Sequence, residues 1–119
     1  MIAHVVLFRP RATLTATERG RLADAFSTAI REIPSVRRAQ IGERVVHGRP
    51  YEALMATHYS HAAILEFDDV AGLRAYLEHP AHEALGRLFF EAFEEALMYD
   101  FTMADGAAAA SSLAHPHQP

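Results

Sequence analysis

Cysteine and tryptophan are both absent from the 119 residues of this chain. Without cysteine there is no disulfide, no thiolate nucleophile, no iron–sulfur cluster and no cysteinyl zinc site. Basic side chains are outnumbered, 11 Lys and Arg against 15 Asp and Glu, for a net charge of −4. That is the wrong sign for a general nucleic-acid binder, which sets clustered cations against phosphates, so no nucleic-acid partner is expected. Long apolar runs are missing as well. None approaches the roughly 18–20 residues that cross a bilayer, and no membrane partner is expected. No basic stretch with a small-residue cleavage site precedes the first strand-like run, so a cytoplasmic domain is the expected reading. Phosphate-cradling glycine loops, the G-x-S-x-G elbow and H-E-x-x-H are also absent, which removes nucleotide and common hydrolase chemistry.

Half of the residues are hydrophobic and 22% are charged, the balance of a chain that buries one core. Eight histidines are the unusual count, and the chemistry is sought among them.

Ile2 to Phe8 is short, β-branched and apolar, and reads as a strand. Thr15-Ala-Thr-Glu18 matches the capping box, and Leu22, Phe26, Ile30 and Ile33 follow on one face of a helix ended by Pro34. Residues 36–46 are strand-like with interleaved polar positions, as suits an edge, and Arg37-Arg38 reads as a solvated part of it. Residues 47–58 read as a loop. A third strand is expected from Tyr59 to Phe67, and a short helix capped by Asp68 and Asp69 stops near His79 because Pro80 follows. Pro80 opens another helix, with a stripe of Leu85, Leu88, Phe89, Ala92, Phe93 and Ala96. Alternation from Leu97 to Met103 gives the last strand. The domain spans residues 1–103, and the Ala/Ser/Pro/His-rich stretch 104–119 is expected to be a disordered tail, with no chemistry assigned to His115 or His117.

The order β-α-β-β-α-α-β predicts an α+β, ferredoxin-like domain with a four-stranded antiparallel sheet covered by helices on one face. The first strand is apolar on both faces, with Ile2, Val6 and Phe8 on one and Ala3, Val5 and Leu7 on the other. A water-facing sheet surface should read polar. The expected cover is a second copy, sheet against sheet, forming a two-fold homodimer and a dimeric α/β barrel.

The opening His4-Val-Val-Leu-Phe8, Tyr59-Ser-His61, Glu66-Phe67-Asp68, Tyr99-Asp100-Phe101 and above all Tyr76-Leu-Glu-His-Pro-Ala-His82 resemble the stress-responsive A/B barrel, or Dabb, domain. The resemblance covers residues 2–103 and implies that dimeric barrel. Plant heat-stable stress proteins and a plant polyketide cyclase working by aldol condensation belong to the family. It implies that Tyr76 and His82 form an acid–base pair, and that His4 and His61 match further histidines of the cyclase branch. Two departures stand out: the loop at 47–58 is longer, and Ala23 occupies an acyl-pocket position that is aromatic in that branch.

Local geometry alone gathers Tyr76, His79 and His82 around Pro80, and strands carrying His4 and His61 at matching parity can bring both beneath them. The expected site is therefore catalytic Tyr76 and His82, with His4, His61, His79, Leu22 and Phe26 binding a small apolar or carbonyl-bearing ligand. Histidine titrates near ~6.5 and can take a proton next to a carbonyl while the tyrosine hydroxyl polarises it, with no cofactor. Packing and capping roles for the same side chains give a competing expectation, a structural stress-associated dimer without catalysis. His47 and His58 are assigned to the loop. His79-x-x-His82 with His61 offers three imidazoles, but Pro80 interrupts the spacing and no carboxylate is evident, so no metal is expected. A cofactorless monooxygenase shares the barrel only at the level of fold.

Overall fold

Thr15 begins the first helix as the spacing requires. Its hydroxyl accepts from the Glu18 backbone N–H at 3.1 Å, and the Glu18 carboxylate accepts from the Thr15 N–H at 3.0 Å. In the computed structural model, which describes residues 1–115, this capping box opens α1 (Ala16–Glu32). Before it lies β1 (Ile2–Pro10), and after it come β2 (Arg38–Glu43), β3 (His61–Phe67), α2 (Val70–Glu78), α3 (Pro80–Ala92) and β4 (Phe93–Thr102). A 3₁₀ turn, Pro50–Leu54, lies within the β2–β3 loop.

All strand pairs are antiparallel, in the order β2-β3-β1-β4. This is the ferredoxin-like sheet expected from the element order. Ile2, His4, Val6 and Phe8 stand in register with Phe67, Leu65, Ala63 and His61 on one side and with Thr102, Asp100, Met98 and Ala96 on the other. This row faces the helices and builds the core with Phe26, Ala29, Leu73, Tyr76 and Leu85. The opposite row holds Val5, Leu7, Ile64, Leu97, Tyr99 and Phe101, the last four exposed.

The last helix and strand meet earlier than the apolar stripe suggests. Phe93 and Ala96 continue the α3 spacing, yet the helix ends at Ala92 and Phe93 starts β4. Phe93 gives its N–H to the Phe89 carbonyl and then runs extended, and its ring stacks on Phe8 with centroids 4.7 Å apart. Pairing with β1 overrides the helical period. The second strand is also shorter than expected, because only Arg38 to Glu43 find ladder partners on β3. Of residues 104–119, Gly106–Ala109 and Ala110–Ala114 form two short helical turns without buried residues, and His117 lies outside the described residues.

Candidate functional site

His79 and Pro80 form the hinge on which the site is built. His79 ends α2 and caps α3, its Nδ1 accepting the Ala81 backbone N–H at 3.0 Å. Pro80 sits in the first helical turn, where a missing N–H costs nothing. The corner turns Tyr76 and His82 toward each other, their ring centroids 4.7 Å apart and nearly edge to face. From below, β1 presents His4, whose ring lies 5.9 Å from that of Tyr76.

These three side chains, with Val6, Phe26, Leu65, Leu85, Phe89 and Met98, line a cavity of about 170 Å³ between sheet and helices. Tyr76 is 2% exposed, and burial pushes its hydroxyl up to about 12. Half-buried His82 is held below its ordinary value, first by loss of hydration and second by the neighbouring His4, with the Leu77 backbone acting weakly the other way. At neutral pH the pair is therefore a protonated phenol beside a neutral imidazole, one a donor and the other a base.

Asp100 completes the group. It stands opposite His4 on β4, and His4 Nδ1 lies 2.6 Å from Asp100 Oδ1. A carboxylate can only accept, so Nδ1 is the donor of this contact and the ring is held with that edge toward β4. Asp100 has no role in the sequence reading because the β1–β4 register decides its partner. The one available signal is a carboxylate within the otherwise largely apolar run from Ala96 to Phe101.

The other expected site residues are spread apart. His61 shares the helix-facing row with His4 but pairs with Phe8, four residues farther along β1, or roughly 13 Å at strand rise. Its ring stacks on Phe8 at 5.3 Å, and its Nδ1 lies 2.8 Å from Ser60 Oγ. It lines a second cavity of about 340 Å³ under α1, together with Leu22, Ala23, Phe26 and Ile30. Leu22 belongs to this cavity, and Phe26 is a wall of both. His79 lines neither, since its acceptor nitrogen is engaged by the cap. His61 is thus not gathered with His79 and His82. Among the described residues, no three His, Cys, Asp or Glu side chains are placed to hold a metal ion, and no helix is long and apolar enough to cross a membrane.

Comparison with known proteins places these features in context. The family model described as Stress responsive A/B Barrel Domain matches residues 2–103. Olivetolic acid cyclase from Cannabis sativa is 21% identical over 101 residues, covering 85% of this chain and 95% of its own. A dimeric ferredoxin-like protein of unknown function from Thermobifida fusca superposes with a TM-score of 0.66 at 25% identity, over 86% of this chain and 90% of its own. Hydroxynitrile lyase from Passiflora edulis has the same fold, with a TM-score of 0.74 at 17% identity over 88% and 94% of the two chains.

Proposed function

The chain belongs to the stress-responsive A/B barrel domain family, and on that premise we propose that it is a homodimer that binds a small, largely apolar, carbonyl-bearing molecule between its sheet and helices. In that cavity it performs cofactor-independent acid–base chemistry of the aldol type. The observation that carries the reading is the convergence of Tyr76, His82 and His4 on one apolar cavity, with His4 held from behind by Asp100.

Each group has a role that its environment favours. Neutral His82 takes a proton from the carbon beside the carbonyl, and the enolate attacks a second carbonyl of the same folded chain. The Tyr76 hydroxyl, kept protonated by burial, donates to the oxygen on which charge develops. His4, oriented by Asp100, holds the ligand's polar end. The α1 cavity, opened by the small Ala23 side chain, takes an apolar tail past Phe26. The similarity to a cyclase in sequence supports this class of substrate. Holding the chain folded supplies much of the rate in such a closure. A dimer whose histidines only pack and cap predicts no cavity beside them, so the 170 Å³ space favours the ligand-binding reading. The second copy covers the apolar sheet face, in keeping with the dimeric relative.

Proton exchange tests the chemistry. In deuterium oxide, the protein should accelerate exchange next to the carbonyl of a medium-chain β-ketoacyl thioester, followed by proton NMR. His82→Ala should lose about 10²–10⁴-fold of the acceleration, the usual share of a positioned acid–base group, with its circular dichroism unchanged. Exchange at the buffer rate by the unaltered protein overturns the catalytic assignment. If the thioester also leaves the protein's NMR signals unmoved, the binding assignment falls with it.

A further inference from the structure

A third cavity, of about 410 Å³, lies on the other side of the sheet, under the β2–β3 loop. Leu7, Gly42 and Ala62 form its floor and Tyr51 and Met55 its roof, with Arg44 at its rim. The loop holds its own shape. The Glu52 carboxylate accepts from the backbone N–H groups of His47 and Gly48 at 3.1 and 2.6 Å. The Tyr51 hydroxyl lies 2.6 Å from His47 Nε2, and Gly48, at φ +83°, makes the turn. Nevertheless Leu54 is 77% exposed, and Val45 and Val46 are nearly as open. A pre-organised loop with an apolar rim and an apolar socket is unfinished on its outer side.

The matching feature lies on the same sheet face. Tyr99 and Phe101 on β4 are 57% and 50% exposed. Leu7 pairs with Ala62 and Leu97 at one end of the face, and Ala3 pairs with Glu66 and Phe101 at the other. Since β2 and β4 are opposite edges, the socket and Phe101 occupy diagonal corners, with Tyr99 next to Phe101 at mid-length of the β4 edge. A two-fold axis in the plane of contact, perpendicular to the line between these corners, lays each on the other. Val5 and Ile64, paired at the middle of the face, then meet their copies near the axis.

We propose that this cavity is a socket for the partner's Tyr99 and Phe101, so that two copies of the chain interlock at two symmetric corners. The inference rests on the reading that a second copy covers the open face, and adds which groups meet. Docking takes from water the roughly half of each ring that is still exposed, out of the about 150–250 Å² that an aromatic side chain buries in full. The Arg44 guanidinium at the rim suits the face of an aromatic ring. His61 lines both this socket and the α1 cavity, so the inserted ring stands behind a wall of the ligand site.

The chain has no cysteine, which makes engineered cross-links unambiguous. Met55→Cys and Phe101→Cys are made singly and together in the full chain, oxidised mildly, and compared by non-reducing electrophoresis and sedimentation equilibrium. A disulfide needs Cα atoms within roughly 7 Å. The double variant should give a covalent dimer and the single variants none. A non-covalent dimer of the double variant that does not cross-link overturns the socket while leaving the dimer standing. So does Phe101→Cys cross-linking to itself, because it puts Phe101 on the axis. A monomeric unaltered chain overturns both.

Discussion

His82 shows how one side chain ties stability to the state needed for chemistry. Its charged form is disfavoured in the folded protein, so the unfolded chain binds the proton first as pH falls. Its contribution to stability is therefore complete above the ordinary histidine value of 6.5 and is lost as pH drops through the lowered folded value. Scanning calorimetry between pH 8 and pH 5 should show the melting temperature of His82→Gln falling less steeply than that of the parent. Equal slopes would remove His82 as the cause. The second residue-level expectation concerns Asp100. Asp100→Asn removes the anion facing His4 Nδ1, so nitrogen-15 spectra should show the His4 Nδ1–H tautomer losing population and proton exchange slowing, with the fold retained. The residue types at the site were legible as Tyr76, His82 and His4. Asp100 was not, because its meaning depends on what lies opposite.

The helices and strands gave mixed legibility for local and non-local reasons. Thr15-x-x-Glu18 and Asp69 cap their helices through neighbours three residues away, and such contacts are written in the sequence. His79 acts in the same local way, since its Nδ1 takes the Ala81 N–H. His79→Ala should cost about 1 kcal/mol of unfolding free energy, the usual loss on removing a cap, whereas His79→Ser should keep most of it. Urea titration of both variants checks this, and equal losses would show that the ring acts through packing instead. The α3–β4 boundary is the contrary case. Phe93 and Ala96 fit a helix by spacing, and only the β1 strand beside them makes an extended chain the better use of their backbone groups.

At the scale of the whole molecule, the sheet has one face under helices and one without. Ile64 lies mid-face and is 39% exposed, so a charge there costs a lone protomer little. Between two apposed sheets, the same charge would be buried without a partner, at a cost of several kcal/mol. Ile64→Lys should therefore yield a folded monomer by light scattering, where the parent gives twice that mass. A dimeric variant would place the contact elsewhere. The two apolar rows of β1 made the uncovered face readable in advance. The socket under the β2–β3 loop was not readable, because it is closed by Glu52, His47 and Tyr51 folding back within an irregular segment.

The sequence alone determined the element order, the helix starts, the two-faced apolar strand and the family, because these depend on period, capping chemistry and motif within a few residues. Tertiary structure decided which histidines share a cavity. His4 and His61 have the same parity, but the antiparallel register sets them four residues apart along β1, one beside Tyr76 and His82 and the other under α1. Parity fixes the face that a strand residue occupies. Its position along the strand relative to distant helices is fixed only when the long-range ladders and the core close together.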